Sequence, residues 1–233
     1  MQLVVEPAPE AAAAAAAAHM AQVLARAIAA RGRATLALSG GSTAMPLLAA
    51  LLQQAIDWTR VAVFQVDERI AADGDAARNL TALQSTLVAG GPLPAPNLHP
   101  MPVTAGTLEI AAEGYAQRLR ELAGSPPVLD LVHLGLGTDG HTASLFPGDA
   151  ALQVTDRAVT LAASHAGYRR MTLTLPVINA ARARVWLVVG AAKVNVLASL
   201  VEGTSGTPGT LVVRDGTSIF ADAAARPLRP AGR

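Results

Sequence analysis

The chain has 233 residues, 52% of them hydrophobic and 15% charged, which is enough apolar material for a sizeable core and excludes a disordered segment. The net charge is +1 and aromatics make up 3%, so neither a global field nor stacking platforms point to nucleic acid or an anionic membrane. Cysteine is absent, which removes disulfides, thiolate nucleophiles and zinc–thiolate sites and fits a reducing compartment.

The start, Met1-Gln2-Leu3-Val4-Val5-Glu6, has neither the basic opening nor the apolar run of a signal segment. Residues 3–5 predict a short strand, ended by Pro7 and Pro9. Residues 10–31 predict a helix, with Met20, Val23, Leu24 and Ile28 on one face and Gly32 at its end. Its alanine tract is interrupted by His19, Gln22 and Arg26 too soon for a membrane span, so a soluble, cytoplasmic protein is expected. Residues 34–38 predict a buried strand and 44–54 a helix, with Pro46 tolerated in its first turn. A strand at 61–66 follows and ends in Asp67-Glu68-Arg69. Asn79 is placed to cap a helix over 80–88, and 98–103 predicts a short strand. Residues 107–123 predict an amphipathic helix capped by Thr107. Further strands are expected at 128–134, 158–162, 171–175, 185–189, 211–213 and 218–220, and helices at 176–183 and from Gly190 to about Leu200. The Ala/Pro/Arg-rich tail is expected to fray. Short apolar strands alternating with helices, with no interior linker, predict one α/β domain: a mostly parallel sheet covered by helices on both faces.

The chemistry gathers at the carboxyl ends of these strands, where an open α/β sheet places its ligands. Ser39-Gly40-Gly41-Ser42-Thr43 lies between a strand and a helix. Such a loop offers backbone N–H groups beside a positive helix end, an anion site that commonly takes phosphate. Asp67, Glu68 and Arg69 close the next strand. The strand at 128–134 runs into Gly135-Leu136-Gly137-Thr138-Asp139-Gly140-His141-Thr142-Ala143-Ser144-Leu145-Phe146-Pro147-Gly148. Its glycines permit sharp turning and close approach, and its histidine can take a proton from water. His133 lies mid-strand among apolar residues and reads as a core histidine, while His19, His99 and His165 have no constellation around them. Among the 18 basic side chains all but Lys193 are arginine, so the single lysine stands out.

Four segments, in this order and spacing, resemble the 6-phosphogluconolactonase family. They are Ser39-Gly40-Gly41-Ser42-Thr43; Asp67-Glu68-Arg69 with Asn79; Leu134 to Gly148; and Arg170-Met171-Thr172-Leu173-Thr174 followed by Asn179-Ala180-Ala181 and Gly190-Ala191-Ala192-Lys193. The Gly-His-Thr-Ala-Ser-Leu-Phe-Pro-Gly string is the most specific part. The resemblance implies a three-layer Rossmann-like fold shared with ribose-5-phosphate isomerase and glucosamine-6-phosphate deaminases. It implies hydrolysis of 6-phosphoglucono-δ-lactone to 6-phosphogluconate without a metal or organic cofactor. The expected partner is that small phosphosugar lactone, with no nucleic acid or membrane, and the expected state is a monomer or weak homodimer. His141 becomes the candidate general base, with Asp139 orienting it or fixing the loop, and Asp67 polarising it or bonding a sugar hydroxyl. Gly40, Gly41, Ser42, Arg69, Asn79, Gly140, Arg170 and Lys193 become the candidate substrate-binding residues, and Arg170 is favoured over Arg169.

The chain departs from the family pattern at Ala44, at Arg78, and at Ser164-His165-Ala166-Gly167-Tyr168, which replaces a Lys-Pro-Pro type segment. Two other readings share the fold: a sugar-phosphate deaminase or isomerase, against which Arg69 and Ser144-Leu145-Phe146 argue, and a non-catalytic sugar-phosphate-binding module.

Overall fold

The computed structural model describes residues 1–41 and 43–227. The chain runs β1 (Gln2–Glu6), α1 (Pro9–Arg31), β2 (Ala34–Leu38), α2 (Ala44–Leu52), β3 (Val61–Gln65), β4 (Asp67–Arg69) and α3 (Asn79–Leu83). It continues through β5 (Leu98–His99), α4 (Leu108–Ala123), β6 (Leu131–Leu134), β7 (Val159–His165), β8 (Tyr168–Leu173), α5 (Leu175–Ala180), β9 (Arg184–Val188), α6 (Val194–Glu202) and β10 (Thr217–Asp222). A 7-stranded sheet has the order β1-β10-β9-β6-β2-β3-β5. Every neighbouring pair in it is parallel. A second, 3-stranded sheet, β4-β8-β7, is antiparallel.

Side-chain alternation along the strands makes two cores. Leu36, Leu38, Val185 and Leu187 face one way, beneath α1 and α2. Ala37, Trp186 and Val188 face the other, beneath α4, α5 and α6. The alanines of α1 serve this packing. Ala12, Ala13, Ala16, Ala17, Met20, Leu24 and Ala27 are buried, and side chains this small let the helix lie close to the sheet. By length and composition α1 would suffice to cross a membrane. Here its apolar stripe is packed against the sheet. Gly32 closes the helix in the left-handed region, as its position after Arg31 predicts.

Topology positions the site. From β2 the chain moves outward to β3 and β5, then returns to place β6 on the other side of β2. The loops after β2 and β6 therefore leave the sheet on opposite faces and open a crevice between them.

Three expectations change. The apolar run at 211–213 is not a strand but follows a 3-10 turn, Pro208–Leu211. The Asn179 side chain satisfies its backbone, donating to the Leu211 carbonyl (3.1 Å) and accepting from the Val213 amide (2.9 Å), so no ladder forms. The strand expected over 98–103 stops at His99, where Pro100 and then Pro102 cannot donate to a ladder. Asn79 is the first residue of α3 rather than its cap. The fully buried Glu68 carboxylate takes that role from a distance, accepting from the amides of Asn79 (2.8 Å) and Leu80 (2.9 Å).

Candidate active site

The crevice is a cleft of about 220 Å³, small beside the roughly 300–1,000 Å³ pockets of drug-sized ligands. It is lined from four sides by Gly40 and Gly41 after β2, by Asp67 and Arg69 of β4, by His141 after β6, and by Arg170 and Lys193.

The small antiparallel sheet supplies the positive charge. Arg69 of β4 and Arg170 of β8 are cross-strand partners, and so are Asp67 and Thr172. Because strand side chains alternate, these four residues share one face, which turns to the cleft. Directly opposed like charges destabilise a sheet unless something answers them. Arg170 is only 7% exposed, and its ion pair to Asp67 is long at 3.9 Å. Burial and then the Arg69 charge push the Arg170 guanidinium below its ordinary range, with Asp67 and Glu68 pulling it back. The Nε atoms of Arg69 and Arg170 are buried without a partner among the described residues. Nη1 of Arg69 donates to the Ala77 carbonyl and Nη2 of Arg170 to the His165 carbonyl, which holds the two guanidinium groups in place. Together at the cleft wall their charges match a dianion.

Asp67 answers part of that charge. Burial pushes its carboxyl up, against a hydrogen bond from Ser144 and the charges of Arg69 and Arg170. Ser144 Oγ donates to Asp67 Oδ2 at 2.6 Å, and Asn79 Nδ2 donates to the Asp67 carbonyl at 2.9 Å. Asn79 lies against Gly40 so closely that a Cβ there would meet Asn79 Oδ1 at 1.9 Å, which is why the loop needs glycine at that point. The loop leads into α2, whose amino end faces the cleft.

His141 sits at the opposite wall. Its Nδ1 lies 2.6 Å from Asp139 Oδ1, and its backbone amide donates to the same oxygen at 3.1 Å. With Nδ1 held, Nε2 is the nitrogen left for the cleft. The bend is tight: a Cβ at Gly137 would meet His141 Nδ1 at 2.1 Å and Asp139 Oδ1 at 2.4 Å. Partial burial works to raise the Asp139 carboxyl, but the hydrogen bonds and charge of His141 outweigh it and hold Asp139 below the usual carboxylate range. Asp139, not Asp67, is thus the carboxylate bonded to His141. Lys193 donates to the Leu136 carbonyl at 2.6 Å on the same wall, and burial lowers its ammonium while Asp139 raises it.

Of the expected residues, Gly40, Gly41, Asp67, Arg69, Asn79, His141, Arg170 and Lys193 meet in this one cleft. Asp139 stands behind the imidazole. Gly140 is a correction: it packs on Thr207, donates to Gly137 and accepts from Gly209, and does not line the cleft. Ser42 and the end of the tail lie outside the described residues. Arg169 is exposed beside the buried Arg170. Arg78 is structural, buried in ion pairs with Glu68 (3.4 Å) and Asp73 that pin the 70–78 loop. His165, expected to have no role, stacks on Phe146 at 4.0 Å and stands 5.8 Å from the His141 ring. The hairpin turn at Ala166-Gly167 brings it there, and the only sequence signal is a histidine just before that turn. Ser144 and Thr172 also belong to the site and are seen only once β4 and β8 are paired.

The family described as "Glucosamine-6-phosphate isomerases/6-phosphogluconolactonase" matches residues 7–220. A 6-phosphogluconolactonase of Synechocystis sp. is 42% identical over 179 residues, covering 75% of this chain and 74% of its own. One from Streptomyces coelicolor is 38% identical, covering 87% of this chain and 83% of its own. The crystal structure of a 6-phosphogluconolactonase from Shewanella baltica is similar with a TM-score of 0.84 at 28% identity, covering 96% of this chain and 98% of that one. A monomeric glucosamine-6-phosphate deaminase shares the fold, with a TM-score of 0.83 at 16% identity, covering 97% and 98%. The chain belongs to the glucosamine-6-phosphate isomerase/6-phosphogluconolactonase family.

Proposed function

We propose that this chain is a 6-phosphogluconolactonase, hydrolysing 6-phospho-D-glucono-1,5-lactone to 6-phospho-D-gluconate. The observation that carries this reading is the pairing, in one small cleft, of opposed arginines and an imidazole already oriented by a carboxylate. The phosphate lies between Arg69 and Arg170, with Lys193 and the Gly40–Gly41 backbone completing the cradle. The lactone carbonyl then lies against His141. Anchoring a remote dianion turns encounter into positioning, an effect worth several kcal/mol in favourable cases.

Nε2 of His141 takes a proton from water as the water oxygen bonds to C1 of the lactone. The bond from C1 to the ring oxygen breaks, and the imidazolium returns the proton to that oxygen. Asp139 stays ionised and stabilises the transient imidazolium, consistent with its depressed carboxyl. No step calls on a metal or organic cofactor. One α/β unit acting in the cytoplasm is the setting we assign; the absence of cysteine agrees with it.

A coupled assay that consumes 6-phosphogluconate tests the reading. The purified protein should accelerate lactone opening over buffer, and His141→Ala should lower kcat by about 10²–10⁴-fold without altering unfolding. Hydrolysis no faster than in buffer would refute it.

A further inference from the structure

Ser144 does something the mechanism above does not use. It is fully buried, and both of its polar groups reach one cross-strand pair of the small sheet. Its hydroxyl donates to Asp67 at 2.6 Å, and its amide donates to Thr172 Oγ1 at 3.2 Å. Thr172 in turn donates to the Leu173 carbonyl at 3.0 Å, so its proton is committed and a lone pair is left to face the Ser144 amide. The next pair along the same face is Arg69 and Arg170.

Between His141 and Ser144 the backbone is strained. Ala143 lines the cleft with φ at 52°, a left-handed conformation that non-glycine residues hold only when their surroundings over-determine it. A bridge between Thr142 and Leu145 closes the turn, with the Leu145 amide donating to the Thr142 carbonyl at 2.9 Å. Ser144 hydrogen-bonds this turn to the strands carrying the arginines, while Phe146 packs between the Arg170 guanidinium (5.5 Å) and the His141 ring (4.5 Å).

We propose that Ser144 is a positioning residue that couples occupancy of the arginine pair to the placement of the His141 imidazole, an inference that rests on the lactonase reading. A dianion between Arg69 and Arg170 sets β4 against β8. Asp67 and Thr172 lie on those same strands, and their two bonds to Ser144 carry that setting into the strained turn beside His141. Asp67 therefore serves through Ser144 rather than through direct contact with the imidazole.

The test separates the two halves of the substrate. Glucono-1,5-lactone, which lacks the phosphate, is supplied with and without inorganic phosphite dianion as the missing piece. With the wild-type protein, saturating phosphite should accelerate hydrolysis about tenfold or more, because remote binding is spent on placing the catalytic group. In Ser144→Ala the acceleration should fall to about twofold or less, and kcat on the phosphorylated lactone about tenfold, while 6-phosphogluconate still binds within about threefold of wild type. Thr172→Val removes the other anchor at nearly constant shape, and should give a smaller loss in the same direction if Ser144→Ala does not fold. Phosphite acceleration unchanged in the folded variants, or absent in wild type, overturns the coupling. Wild type failing to hydrolyse the phosphorylated lactone at all refutes instead the lactonase reading beneath it.

Discussion

His133 and His141 belong to the same strand-and-loop segment and differ in almost every physical respect. His133 is 1% exposed in the middle of β6, with neither ring nitrogen partnered among the described residues, and burial pushes its imidazole down to about 4. It is a neutral, flat filler of the core. His141 lies just beyond the carboxyl end of β6, partly open to the cleft, with Nδ1 held by Asp139. The difference teaches that residue type decides little here. Position relative to the strand end and one neighbouring carboxylate separate a histidine that packs from one that can move a proton.

The comparison can be broken at either histidine. The larger expected effect lies in stability at His133. Its folded form stays neutral while the unfolded chain takes a proton near the ordinary 6.5, so the unfolded state binds more protons between pH 6.5 and about 4. Stability present above 6.5 is therefore lost on acidification through that window, by about 3 kcal/mol in all. His133→Leu should remove this loss, leaving a flatter dependence of the denaturation midpoint on pH, with kcat unchanged at pH 7. An identical acid dependence in wild type and variant would show that the two histidines are not so different.

Arg170→Met comes next. It should lower kcat/KM by about 100-fold, mostly through KM, because a buried guanidinium facing a dianion is lost. Unfolding of the free protein should be no easier, since repulsion from Arg69 is relieved. Thermal shifts with and without 6-phosphogluconate separate these effects. A large loss of stability without ligand would mean that Arg170 serves the fold. The smallest change is expected from Asp139→Asn, about tenfold in kcat with KM unchanged, because the pair is partly solvated and its orienting effect is screened. Steady-state rates measure it; no change would leave His141 oriented by the turn alone.

The architecture was legible because alternation of apolar strands and helices is local. Gly40, Asp67 and His141 were legible because each comes soon after the carboxyl end of a buried strand. What stayed hidden depends on pairing across long separations. Nothing near Arg69 announces Arg170 as its partner in register, and Ser144 meets Asp67 across 77 residues. Glu68 looks like a charge at a functional edge, yet it is buried as the remote cap of α3. The run at 211–213 looks like a strand, but Asn179 takes its backbone bonds. His165 looks isolated because stacking on Phe146 is a property of the folded hairpin.

The structure of the complex with 6-phosphogluconate tests the central arrangement most directly. The phosphate should lie between Arg69 and Arg170 beside Gly40 and Gly41, with the carboxylate that was the lactone carbonyl within hydrogen-bond distance of His141 Nε2. A phosphate at His141, or a carboxylate held by the arginine pair, would contradict the account.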